Sequence, residues 1–320
     1  MRVRTVTIEK CANILKEQDN FLLVTHVRPD GDTLGCAAAM CRALQSLGKT
    51  AYMYINPEIT EVYYDFVSAY FAPEGYEYDF AVAVDMASRG LDPVGFDKTV
   101  NLCIDHHDSN SFFAEQTLVL PEYAACGEIV LKVIKALDAE IDEITAQLLY
   151  IAISTDTGCF CFGSTTSNSL RSAAELIEAG ADNGALNKYL FRTFSPARMK
   201  LEGHIFSSMK LFDEGRIAIA HITLDMMAET GAGEADCESI ASLPEKISGV
   251  LIAVTIRQLR DDFCKLSVRT TQGILASSIC EEFDGGGHPA AAGCTMLCGT
   301  QEAEELILAA ALRELDGKRG

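Results

Sequence analysis

His26, Asp30 and Asp32 fall within one short stretch, HVRPDGD, directly after the apolar run FLLVT. Asp85 closes a second apolar run, DFAVAVD. Asp105, His106 and His107 close a third, TVNLCIDHH, and Asp156 ends ITAQLLYIAISTD just before Gly158. Seven of these residues can serve as metal ligands through carboxylate oxygen or imidazole nitrogen, and no thiolate stands among them. That donor set suits Mn²⁺, Mg²⁺ or Co²⁺ better than structural zinc. Carboxylates crowded together without a cation repel one another and gain protons. A pair of divalent ions about 3.5–4 Å apart would remove the repulsion. It would also activate a water for attack on phosphorus while stabilising the charge that develops. Each piece alone has a plainer reading: Asp30-Gly31-Asp32 a turn, His106-His107 a loop pair, Asp85 and Asp156 helix caps. Delivered in order by four segments of one half of the chain, they point to a metal centre.

These residues need a scaffold that brings strand ends together. FLLVTH (21–26), TAYMYI (50–55), DFAVAVD (79–85) and TVNLCID (99–105) are apolar or β-branched throughout, as expected of parallel strands covered on both faces. LGCAAAMCRALQSLG (34–48), GEIVLKVIKALDA, ITAQLLYIAISTD and SNSLRSAAELIEAGAD carry helical spacing, the last with Ser167 or Asn168 near its cap. The alternation predicts a doubly wound, mainly parallel α/β domain, in which polar residues at the carboxyl ends of strands line the ligand crevice. Residues 1–185 form this expected domain. Residues 186–212, with Pro196 opening a helix, read as a helical linker. Residues 213–320 read as a smaller α+β domain with strands in RIAIAHITL, ISGVLIAVTIRQL and FCKLSVRTT, a short helix ILASSICEEF, a glycine turn and a final helix.

The turn is a second dense motif, Asp284-Gly285-Gly286-Gly287-His288-Pro289-Ala290-Ala291-Ala292-Gly293. Three glycines let backbone N–H groups approach an anion closely, and His288 can donate to phosphate. Arg269, near the end of FCKLSVR, offers a planar fork for phosphate or carboxylate.

The 46 acidic and 26 basic side chains give a formal net charge of −20. That balance argues against coating long nucleic acid or an anionic membrane surface. No stretch of about 18 apolar residues occurs, and the start reads as no secretory signal, so a cytoplasmic site of action is expected. Twelve scattered cysteines then read as free thiols, and the lone pair Cys159 and Cys161 does not complete a zinc site.

HVRPDGD, the isolated Asp85, IDHHDSN and STDTGCF, followed by SVRT and GGGHPAAAG, resemble the DHH phosphoesterase superfamily with its DHH-associated C-terminal domain, over roughly residues 15–315. The length is similar to that of the oligoribonuclease and 3′-phosphoadenosine-5′-phosphate phosphatase group. The resemblance implies that His26, Asp30 and Asp85 hold one Mn²⁺. It implies that Asp32, Asp85, His106 and Asp156 hold a second, with Asp85 bridging and Mg²⁺ or Co²⁺ as substitutes. Asp105 would orient the histidine pair, and His107 would face the substrate phosphate or the leaving group. Arg269, Gly285, Gly286, Gly287 and His288 would bind the terminal nucleotide or phosphate, with reaction in the cleft between the domains. A homodimer is expected on the same ground.

The implied activity is hydrolysis of short oligoribonucleotides to 5′-mononucleotides, of 3′-phosphoadenosine-5′-phosphate, or of both. Cyclic-di-AMP or the linear dinucleotide pApA is the alternative substrate. A pyrophosphatase is disfavoured by the GGGH motif, and a processive single-strand exonuclease by the want of a basic, aromatic-rich groove. A non-catalytic nucleotide-binding regulator would be marked by lost ligands, and all seven are present. Two positions depart from the family pattern, Cys36 and Cys126, the latter in AACGE before Glu128. Both remove expected hydroxyl contacts, and neither is expected to touch a ligand.

Overall fold

The computed structural model describes residues 5–237, 240–271 and 273–317. The chain divides into two compact units, residues 1–193 and 194–320. The boundary falls inside the segment 186–212 expected to be a linker, so one of its helices closes the first unit and the other opens the second.

The first unit contains α1 (Ile8–Glu17), β1 (Phe21–Val24), α2 (Gly31–Ser46), β2 (Ala51–Met53), α3 (Glu61–Val67), β3 (Phe80–Val84), β4 (Leu102–Asp105), β5 (Gln116–Val119), α4 (Cys126–Ala136), α5 (Glu143–Asp156), α6 (Ser167–Glu178) and α7 (Asn183–Arg192). Its five strands are all parallel, in the order β2-β1-β3-β4-β5. Alternation along each strand feeds two cores. Phe21, Leu23, Val82, Val84, Leu102 and Ile104 pack with the helices on one face. Leu22, Val24, Ala81, Ala83 and Cys103 pack on the other face with Met86, Phe96, Val100 and Ala114 from the connections around β4. The edge strand β5 lies outside the runs read as strands. It opens on Gln116 and Thr117, so it lacks the apolar start of the equally short β1 and β4.

α2 and α5 pack closely enough to decide one residue type. A Cβ on Gly35 would lie 2.4 Å from the carbonyl oxygen of Leu148 in α5. Backbone cannot swing aside as a side chain can, so Gly35→Ala must separate two helices that carry Asp32 and Asp156. The expected cost is about 1–3 kcal/mol of overpacking, a fall in melting temperature of roughly 3–10 °C. An unchanged melting curve would show that the helices can part without loss.

The second unit contains α8 (Pro196–Ser208), β6 (Lys210–Phe212), β7 (Ile217–Ile222), α9 (Leu224–Thr230), β8 (Ile252–Arg260), β9 (Phe263–Thr270), α10 (Ala276–Glu281), β10 (Gly286–His288), β11 (Ala291–Met296) and α11 (Thr300–Gly317). Its six-stranded sheet is mixed, in the order β10-β11-β9-β8-β7-β6, with only β7 and β8 parallel. Two of the three glycines, Gly286 and Gly287, lie in a strand and not in the turn expected from the composition. Gly286–His288 pairs antiparallel with β11. A Cβ on Gly285 would lie 2.4 Å from the Gly293 carbonyl oxygen, and one on Gly287 2.7 Å from Ala292 Cα. Close strand approach explains those two glycines.

Candidate metal centre

The sequence places a polar residue where each of three central strands runs out. His26 follows β1, and its Nδ1 meets the Val27 carbonyl at 2.8 Å. This turns Nε2 toward Asp30 Oδ1 and Asp85 Oδ2, both at 3.7 Å. Asp30 caps α2, accepting from the backbone of Asp32 and Thr33. Asp32, in the first turn of α2, is buried. Its Oδ2 accepts from the Cys126 N–H at 2.7 Å and its Oδ1 from the Gly127 N–H at 2.9 Å. Ala125, at the N-cap of α4, offers no side-chain cap, so Asp32 caps that helix from across the core and meets its positive dipole end.

Asp85 follows β3 with φ of +54°, a left-handed conformation that Asp tolerates better than most residues. Its N–H donates to Ile104 at 2.9 Å, tying the turn to β4. Its Oδ1 is buried and accepts no hydrogen bond among the described residues. His106 Nε2 lies 3.4 Å from Asp85 Oδ1 and 3.5 Å from Asp156 Oδ2. Three donor groups result, each with its ligand atoms within 4.8 Å of one another: His26–Asp30–Asp85, Asp32–His106–Asp156 and Asp85–His106–His107. The six residues expected to bind metal, together with His107, are thus one connected cluster, with Asp85 and His106 each in two groups.

Asp105 is fully buried. Its Oδ1 accepts from His107 Nδ1 at 2.7 Å and from the His106 backbone at 2.8 Å, and its Oδ2 from Asn110 at 2.6 Å. It orients the ring of His107 but not that of His106. The His106 ring meets the Tyr123 carbonyl through Nδ1 at 3.1 Å. Tyr123, Val27 and Asn110 are supports that sequence reasoning did not find. The two carbonyls have no residue-type signature, and Asn110 is visible only as the last residue of IDHHDSN. Contrary to expectation, both cysteine positions reach a ligand: Cys36 Sγ lies 3.3 Å from Asp32 Oδ1, and the Cys126 N–H is the donor to Asp32 noted above.

The protein's own charges set a strong field here. Burial pushes the Asp32 carboxyl well up, aided by Asp85 and Asp156. Burial likewise pushes Asp156 up to about 6, with Asp85 adding to the effect and His106 opposing it. Burial works against charge on His106, yet the carboxylates of Asp85, Asp32 and Asp156 raise it to about 10. His26 rises to about 9 in the same way, through Asp30 and Asp85. Carboxylates that draw protons onto neighbouring imidazoles are carboxylates short of positive charge. A buried Asp85 Oδ1 that accepts no hydrogen bond and an oxygen-and-nitrogen donor set therefore fit divalent cations.

In the second unit, Arg269 pairs with Ala291 and Ala291 with His288 across β9, β11 and β10. Directly paired residues share a face, so Arg269 and His288 flank a small alanine, about 10 Å apart at two strand spacings. Arg269 Nε is 3.8 Å from Glu245, and Nη1 donates to the Val268 carbonyl. Among the described residues no helix is long and apolar enough to cross a membrane.

Comparison with known proteins agrees with this architecture. Residues 20–153 match the DHH family N-terminal domain and residues 215–316 the DHHA1 domain. A Thermus thermophilus protein called bifunctional oligoribonuclease and PAP phosphatase NrnA is 34% identical over 318 residues, covering 95% of this chain and 93% of its own. The Bacillus subtilis protein of the same name is 25% identical over 288 residues, covering 87% and 90%. The crystal structure of an exopolyphosphatase-related protein from Bacteroides fragilis has a TM-score of 0.86 at 22% identity, covering 96% of this chain and 95% of its own, a likeness of fold. The strand-end cluster, the two matched domains and a relative alike along nearly its whole length lead to one conclusion: the chain belongs to the DHH family of phosphoesterases.

Proposed function

We propose that this protein is a Mn²⁺-dependent phosphoesterase that hydrolyses short oligoribonucleotides to 5′-mononucleotides and 3′-phosphoadenosine-5′-phosphate to AMP. The observation that carries the reading is Asp85, a buried carboxylate in a left-handed turn, with one oxygen that accepts no hydrogen bond and a place in two donor groups. The names of the Thermus and Bacillus relatives support the substrate class. His26, Asp30 and Asp85 would hold one ion, and Asp32, Asp85, His106 and Asp156 the other. Bound there, the ions supply an activated water and stabilise charge at phosphorus.

The remaining work falls to the chain's own side chains. Asp105 can only accept from His107 when ionised, so Nδ1 carries the N–H and Nε2 is left for the phosphate or the leaving oxygen. The bond to Asp105 raises the proton affinity of His107, which lets the ring hold a proton for transfer. Arg269 and His288 would grip the terminal phosphate of the substrate. Gly285, Gly286 and Gly287 would serve by keeping β10 close to β11.

The test compares rates on a dinucleotide, a five-nucleotide RNA, 3′-phosphoadenosine-5′-phosphate, pApA and cyclic-di-AMP with Mn²⁺ between about pH 6 and 9. Turnover of the dinucleotide and of 3′-phosphoadenosine-5′-phosphate is expected. Turnover of cyclic-di-AMP alone would move the assignment to a cyclic-dinucleotide phosphodiesterase, and no turnover of any substrate would overturn the reading. Arg269→Ala is expected to raise KM for 3′-phosphoadenosine-5′-phosphate by roughly 10–100-fold, the value of a charge-assisted bond of about 1.5–3 kcal/mol, with kcat less affected. An unchanged KM would remove Arg269 from the binding site. A cytoplasmic site of action and a homodimer belong to the same proposal, the second checked by sedimentation.

A further inference from the structure

Glu128 is a fully buried carboxylate to which the proposed chemistry gives no part. It stands in the first turn of α4. Its Oε1 accepts from the Ala124 N–H at 3.1 Å and from the Ser169 hydroxyl at 2.9 Å. Its Oε2 is buried and accepts nothing among the described residues. A half-satisfied buried carboxylate is a costly way to fill a helix interface that an apolar side chain would fill well. Its partners supply the reason for its presence.

Ala124 lies in the turn between β5 and α4. The residue before it, Tyr123, gives its carbonyl to His106 Nδ1. The residues after it, Cys126 and Gly127, give their N–H groups to Asp32. Ser169 closes a capping box with Thr166, the residue that caps α6 in place of Ser167 or Asn168. That cap ends the connection 157–166, which begins directly behind Asp156. One carboxylate thereby ties together the segments that hold Asp32, His106 and Asp156, one of the donor groups. The group His26–Asp30–Asp85 draws on other supports: the Val27 carbonyl, the backbone of α2 and Ile104.

We infer that Glu128 is a positioning residue for the Asp32–His106–Asp156 half of the centre and not for the other half. The inference rests on the two-ion reading above. Its test is binding, without turnover: Mn²⁺ is titrated into the full chain and free Mn²⁺ is followed by electron paramagnetic resonance. The wild-type chain is expected to take up two ions, and Asp156→Asn identifies the site that Asp156 serves. Glu128→Ala should weaken that same site by about 10–100-fold, the usual effect of removing a support behind metal ligands, and leave the other unchanged. Glu128→Gln keeps an oxygen for Ala124 and Ser169 and should recover most of the affinity. Should Glu128→Ala fail to fold, Ser169→Ala removes one of the two bonds and should shift the same site alone. Equal weakening of both sites, weakening of neither, or a Gln variant as poor as the Ala variant would overturn the inference and leave the two-ion reading standing. Fewer than two ions on the wild-type chain would overturn both.

Discussion

Asp85→Asn is expected to lower the Mn²⁺-dependent rate on a dinucleotide by at least about 10³-fold, because Asp85 belongs to two of the three donor groups and would serve both proposed ions. Three orders of magnitude correspond to about 4 kcal/mol of transition-state stabilisation, within what metal ions contribute to such a step. Asn is the informative replacement. It has the size of Asp and also tolerates the left-handed conformation that this turn requires. The N–H bond from residue 85 to Ile104 is unaffected. What changes is one negative charge and one anionic ligand shared between two groups.

The same variant separates binding from folding. Mn²⁺ at a hundred times its dissociation constant stabilises a folded site by about 2.7 kcal/mol per ion. For a unit of this size that is a rise in melting temperature of roughly 5–10 °C for each ion. The wild-type chain should show that rise, and Asp85→Asn should lose most of it while melting near the wild-type temperature without metal. A variant that keeps the Mn²⁺-induced shift and the activity would remove Asp85 from the centre. A variant that melts far lower without metal would assign Asp85 a structural role instead.

The contrast between Asp85 and its supports shows what the amino-acid string could reveal. Asp85, Asp105 and His26 were legible because each breaks an apolar run where a buried parallel strand has to end, and a polar side chain at that point needs a purpose. Tyr123 and Val27 were not legible because they act through backbone carbonyls, which every residue possesses. The contact between Asp32 and the start of α4 spans 94 residues in sequence, and nothing local marks Cys126 and Gly127 as donors to a distant carboxylate. The glycine run misled for a different reason. Glycine is a poor strand former, yet Gly285 and Gly287 are required where β10 crowds β11, so tertiary packing overrides local preference. β5 escaped notice because it opens on Gln116 and Thr117 and lacks the apolar start that marks the equally short β1 and β4.

His107→Ala is expected to cost about 10²–10⁴-fold in kcat while leaving Mn²⁺ binding nearly intact, which sets it apart from every other histidine of the cluster. His26 and His106 point their free nitrogens at two carboxylates each. His107 spends Nδ1 on Asp105, and its side chain is the most exposed of the three. A ring fixed through one nitrogen and open at the other is suited to hand a proton to a departing oxygen. The loss should therefore depend on the leaving group. It should be large for a ribose hydroxyl, which leaves poorly as an anion. It should be small for p-nitrophenolate, which needs no proton. Asp105→Asn should reproduce the pattern more weakly, since Asn can present an oxygen to Nδ1 but cannot favour the protonated ring. Equal losses on both leaving groups would place His107 in phosphate binding instead of proton transfer, and loss of the Mn²⁺-induced melting shift would make it a metal ligand.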